Sequence, residues 1–135
     1  MAEQKKMKLS ELKTKKDALK EKLKQLTDKS TKDFKNELLK SLSELSLALF
    51  SMAEYEDSKQ LNEKARLLAV DLKLDAIVAD CLNLSALIIQ SQSANHDSAL
   101  KTFEEAFQIV VKLDLKERQA EYLVNIGTFK SHEII

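Results

Sequence analysis

Asn83-Leu84-Ser85, then Ala99-Leu100-Lys101-Thr102-Phe103-Glu104-Glu105-Ala106, then Asn125-Ile126-Gly127 are the strings whose spacing decides how this chain folds. The first and last share one shape: polar, branched apolar, small. Glu44-Leu45-Ser46 has it too, so the shape recurs after 39 and then 42 residues. A second landmark runs between them. Leu19–Leu23–Leu26, Ser58–Asn62–Ala65 and Ala99–Phe103–Ala106 follow one another at steps of 39 and 41 residues. From the last member of each triad to the next small residue the distances are 20, 20 and 21. Two landmarks thus keep one register of about 40 residues, the signature of a repeat architecture.

Within each repeat the pattern is helical. Leu9, Leu12, Leu19, Leu23 and Leu26 lie on one stripe, as do Leu38, Leu42, Leu45 and Leu49, and Leu61, Ala65, Leu68 and Leu72. Composition agrees. The 135 residues include one Gly and no Pro, with 44% hydrophobic and 33% charged residues. A sandwich or barrel needs turn residues every 8–12 positions or so, which excludes an all-β fold. A lone Gly127 excludes a Gly-rich phosphate loop. Polar clusters at 27–30, 53–57, 73–75, 91–97 and Asp114 punctuate six predicted helices, near 4–27, 31–52, 56–73, 76–91, 97–113 and 116–132. Asp114-x-x-Glu117 reads as a capping box, and Asp75 and Asp97 as N-caps. Short connections make consecutive helices antiparallel. The predicted fold is all-α, a single helical-repeat domain over 1–135, with a basic N-terminal helix in 1–30 and repeats in 31–135.

These residues resemble the tetratricopeptide repeat family. Ala99-x3-Phe103-x2-Ala106 matches the small–aromatic–small signature of that family's second helix, and Leu84-Ser85 and Ile126-Gly127 stand where its first helix carries Leu-Gly. The period near 40 and the string Asn125-Ile126-Gly127 are similar to the long-repeat subgroup of kinesin light chains and spindle-orientation adaptor scaffolds. There are departures: no Trp opens a first helix, where Leu42, Cys81 and Leu123 stand, and no Pro closes a repeat. The resemblance implies a right-handed superhelical stack of antiparallel helical pairs. Its first helices would line a concave surface that binds peptides or helices. The matching positions are Lys40, Ser43, Glu44, Leu47 and Ser51, then Ala79, Leu82, Asn83, Ala86 and Gln90, then Glu121, Val124, Asn125, Thr128 and His132. Asn83 and Asn125 are the sharpest, because an amide offers donors and an acceptor to a peptide backbone. Ala79 and Glu121 stand where a carboxylate-clamping groove would want Lys or Arg, so no such groove is expected.

Chemistry of other kinds finds little support. Cys81, His96 and His132 are widely separated, in no metal-ligand spacing. Cys81 falls on the apolar side of its helix with Leu84 and Ile88, and His96 in a loop. The pairs Glu56-Asp57 and Glu104-Glu105 are read as helix starts, where carboxylates favour the positive end of the helix dipole. No enzyme and no cofactor are expected. Phe34, Phe50, Phe103, Phe107 and Phe129, with Leu45, Leu84 and Ile126, are assigned to the core.

Net charge is zero but uneven. Residues 1–40 carry 13 Lys and 7 acids, and residues 41–135 carry 9 basic and 15 acidic residues. Hence an alternative function: a coiled-coil or helical-bundle protein whose basic first helix dimerises or binds a polyanion, a microtubule or nucleic acid. The leucine stripe is short for a coiled coil, and nucleic acid is not expected beside interleaved Glu11, Asp17, Glu21 and Asp28. No apolar run approaches the roughly 18 residues of a membrane span, so no membrane is expected and the default location is cytoplasmic. The expected partner is another protein or peptide, or a second copy in a homodimer.

Two finer expectations follow. The only glycine, Gly127, falls inside a helix and should mark a close approach of the fifth and sixth helices. The first helix should cap the array, with Leu19, Leu23 and Leu26 buried against Leu38, Leu42 and Leu45, and Lys13, Lys16, Lys20 and Lys24 in water.

Overall fold

A computed structural model describes the fold of residues 2–93 and 95–134, and the side chains of residues 9–93 and 95–127. Among the described residues there are six helices and no strand: α1 Ala2–Lys24, α2 Lys32–Ser51, α3 Tyr55–Asp71, α4 Asp75–Gln92, α5 His96–Lys112 and α6 Lys116–Ile134. The predicted ends differ by no more than three residues. The chain gathers into two compact units, Met1–Leu68 and Ala69–Ile135.

Helix ends explain most of the local departures. Thr31 caps α2, its hydroxyl accepting from the Phe34 amide at 3.1 Å. Asn95 caps α5, accepting from the Ser98 amide at 3.2 Å. Asp97, expected as that cap, is the second residue of the helix, and Asp75 is the first residue of α4 rather than its cap. His96 opens α5 instead of lying in a loop, and Glu104-Glu105 sit in the middle of α5, not at its start. The Asp114 capping box is absent. Asp114 has φ 56°, left-handed, whereas an N-cap residue is extended, and its carboxylate instead meets Lys116 Nζ at 2.8 Å.

Asp114 belongs to a recurring turn. Ala53, Lys73 and Asp114 all have positive φ, each the second residue beyond the end of α2, α3 and α5. Behind each, the next amide donates to a carbonyl five residues back: Glu54 to Leu49, Leu74 to Ala69 and Leu115 to Val110, each at 2.9 Å. This is the Schellman closure, which satisfies a carbonyl left over at a helix end. None of the three residues is glycine, so each bears the left-handed penalty of about 1–2 kcal/mol, less for Asp.

In the first unit α1 packs on α2. Leu12 and Leu19 are buried, and Leu23 and Leu26 half-buried. Lys13, Lys20 and Lys24 face water as expected. Lys16 does not: it is half-buried and pairs with Asp57 of α3 at 2.8 Å. The small residue Ser46 lies under α3, where Ser58 Oγ donates to its carbonyl at 2.7 Å. Ser58, Asn62 and Ala65 of α3 are all buried.

The second unit is a three-helix core. Ala86, Ala99, Phe103 and Ile126 form one cluster, and Ala79, Ala106, Val110 and Tyr122 the other. Phe103 is 0% exposed between Ala99 and Ala106, which are also fully covered. The alanines let α4 and α6 come close to α5 while the phenyl ring fills the gap. Gln119 Nε2 donates to the Val110 carbonyl at 3.2 Å, tying α6 to the end of α5. Phe34, Phe50 and Phe107 are half-buried rather than central, and Phe129 lies outside the described side chains. Gly127 overturns its expectation. It is exposed, and a Cβ built on it would meet nothing within 4 Å, so no close approach of α5 and α6 accounts for it.

Candidate functional site

The surface of α4 that turns towards α6 carries two polar side chains one turn apart, Asp80 and Asn83. On α6, Arg118, Tyr122 and Asn125 follow at helical spacing on one face. The two rows meet. Arg118 holds Asp80 with both prongs, Nε to Oδ1 at 2.9 Å and Nη2 to Oδ2 at 3.0 Å. The Tyr122 hydroxyl donates to Asp80 Oδ1. One turn on, Asn125 Nδ2 donates to Asn83 Oδ1 at 3.1 Å. Asp80–Tyr122 and Asn83–Asn125 are both 42 residues apart, so the same step along the chain joins α4 to α6 twice.

The electrostatics follow from burial and pairing. Tyr122 is covered, and desolvation, followed by its bond to the Asp80 carboxylate, pushes its phenol well above the usual range. Asp80 raises the Arg118 guanidinium further, first through their hydrogen bonds. The pair remains accessible at its rim, Arg118 at 36% and Asp80 at 43% side-chain exposure. The Arg118 guanidinium and the Tyr122 hydroxyl are thus both directed at the Asp80 carboxylate. Among the described residues no group of three or more His, Cys, Asp or Glu could hold a metal ion, and Cys81 is buried.

Nine of the fifteen positions matched in the sequence are distributed as follows. In the second unit Asn83 is buried and Asn125 half-buried, joined to each other; Ala86 is fully covered in the core cluster; and Glu121 is exposed. Thr128 lies outside the described side chains. In the first unit Lys40, Glu44 and Leu47 are exposed, Leu47 at 55%, and Ser43 is half-buried. Glu44 also borders a groove of about 440 Å³ between α1 and α2. Leu12, Ala18 and Leu19 line it from α1, and Leu45 and Ala48 from α2. Lys15, Lys22, Ser41 and Glu44 are its polar lining.

Asp80, Arg118 and Tyr122 were not among those candidates. The 42-residue step that singled out Asn83 and Asn125 pairs Asp80 with Tyr122 as well, and that was the signal available. Among the described residues no helix is long and apolar enough to cross a membrane. No family model, no curated protein and no solved structure matches the chain.

Proposed function

We propose that this chain is a non-enzymatic interaction module of the tetratricopeptide type, stacked as a right-handed superhelix. In this reading the α4–α6 face binds a partner peptide or helix. The supporting observation is the ladder at a 42-residue step, in which Asn83 meets Asn125 and Asp80 meets Tyr122 and Arg118. The ladder fixes four polar side chains and one guanidinium in place before any ligand arrives, which lowers the entropy lost on binding. The amide pair uses one donor and one acceptor on itself and keeps further capacity for a peptide main chain. The buried Leu12 and Leu19 of α1 leave the alternative, an α1 that dimerises through its leucines, without the centre of its apolar seam.

The test is selection of binding peptides from a displayed library on the purified chain, followed by fluorescence anisotropy. Selected peptides should bind with little dependence on salt, and Asn83→Ala/Asn125→Ala should weaken them about tenfold, the equivalent of one good hydrogen bond. The double variant should still melt cooperatively. Binding indifferent to both substitutions would sink the proposal, and binding only to polyanions, lost in salt, would favour the alternative.

A further inference from the structure

The groove of the first unit lies at positions whose register mates in α6 are covered by neighbouring helices. Three of the four α2 residues that line the groove, Ser41, Glu44 and Leu45, lie 81 residues before Tyr122, Asn125 and Ile126 of α6. In the second unit those three positions are covered from two sides. Ile126 packs on Ala99 and Phe103 of α5 and on Ala86 of α4, and Tyr122 and Asn125 bond to Asp80 and Asn83 of α4. In the first unit, α1 provides the α5-like side, with Leu19 standing in the register of Ala99. The groove lies where the α4-like side would be.

A first helix with an uncovered face exists in the same chain. Leu123 of α6 is 51% exposed, whereas its register mates Leu42 of α2 and Cys81 of α4 are 0% and 4% exposed. Around Leu123 the exposed positions continue as Lys116, Glu117, Ala120, Glu121, Val124 and Gly127, one face of α6 with an apolar centre, two carboxylates and, at its start, a Lys116 ammonium already paired with Asp114. The groove offers the complement: an apolar floor, and Lys15 and Lys22 on its α1 side, both exposed. The charges of the two parts are also opposite, 13 Lys with 7 acids over residues 1–40 against 9 basic with 15 acidic residues beyond.

We propose that α6 of one copy docks into the α1–α2 groove of a second copy, acidic face against basic rim, in a head-to-tail contact. The contact is heterologous, so it does not close on itself as a two-fold dimer would. It uses none of the Asn83–Asn125 ladder residues on which the peptide-binding test rests, so the failure of one reading leaves the other standing.

The experiment is sedimentation equilibrium on three samples: the wild-type chain, Lys15→Glu/Lys22→Glu, and Glu117→Lys/Glu121→Lys. All four positions are exposed, so circular dichroism should report unchanged helicity. The wild-type mass should rise with concentration. Each double variant alone sets like charge against like and should lose the association. An equimolar mixture of the two variants restores opposite charges at the junction and should regain it. A wild-type chain that stays monomeric over the same range overturns the proposal. So do variants that associate as the wild type does, or a mixture that remains monomeric.

Discussion

The two units solve one packing problem to different degrees. In the second, α6 is covered by α4 and α5, with an alanine–phenylalanine core beneath and a polar ladder across the top. In the first, α2 carries the same register but has a groove beside α1, and leucines replace the compact triad. Ala99–Phe103–Ala106 is fully covered, whereas Leu23 and Leu26, its register mates, are half-buried. Three leucines are the more hydrophobic triad, yet the mixed triad packs more completely. Small residues bring helix axes together, and only then can one large ring fill what remains.

The largest expected effect follows from that contrast. Phe103→Ala should destabilise the second unit by about 3–5 kcal/mol, since it empties a site with no exposed surface. Leu23→Ala, at the equivalent half-buried place, should cost about half as much or less, because part of the side chain already faces water. Urea denaturation of both variants measures the difference. Equal losses would mean that the two triads are equally packed and would remove the comparison.

The next effect tests the ladder, which has no counterpart among the described residues of the first unit. Tyr122→Phe removes the donor to Asp80 and should cost about 1.5–3 kcal/mol at neutral pH, as for other hydrogen bonds to a charged group. The pH profile should change as well. Burial and Asp80 hold the Tyr122 phenol above its ordinary value of 10.0, so the folded state keeps the proton that the unfolded chain loses. Stability from this group is therefore intact below pH about 10 and declines above it, where the unfolded phenol ionises. Thermal melts at rising alkaline pH should show a shallower decline in Tyr122→Phe than in the wild type. Parallel declines would mean that Tyr122 makes no contribution to the alkaline loss.

What could be read from the sequence divides along physical lines. Helices, their ends to within three residues, and the burial of Leu45, Leu84, Phe103 and Ile126 were legible, because periodic burial writes itself into residue type. Helix closures were not. Ala53, Lys73 and Asp114 adopt left-handed φ without glycine, so the usual signal is missing and Asp114 was mistaken for a cap. The candidate face was half legible. Asn83 and Asn125 stood out through their matching strings, whereas Asp80, Arg118 and Tyr122 differ in type, and their partnership depends on geometry across helices. Lys16 looked like its solvated neighbours, and only the approach of Asp57 from α3 distinguishes it.

The closures yield a smaller prediction. Ala53 has no side-chain group to offset its left-handed φ of 61°. Ala53→Gly should therefore stabilise the chain by about 1 kcal/mol, a little less than the penalty because glycine also loosens the unfolded chain. Asp114→Gly should gain less, since Asp tolerates this conformation better and its carboxylate meets Lys116. The melting midpoints of the two variants give the order. A larger gain at Asp114 would contradict the backbone account.

The smallest effect concerns the landmark that both units share. Ser46 is buried beneath Ser58 in the first unit, and Gly127, its register mate in α6, is exposed with open space where a Cβ would lie. The same small residue is thus needed for packing at one place and not at the other. At Ser46 a larger side chain would meet α3, and Ser46→Leu should destabilise by overpacking. At Gly127 a side chain meets nothing within the chain, so only helix propensity remains. Gly127→Ala should raise stability by about 0.5–1 kcal/mol, because alanine loses less backbone freedom on entering a helix. Gly127→Leu, which the sequence alone predicts to be destabilising, should be close to neutral or mildly stabilising in the monomer. Urea titrations at low protein concentration decide the point. A clear loss in Gly127→Leu there would show that a neighbour within the chain approaches the backbone at Gly127 after all, and the contrast between the two landmark positions would disappear.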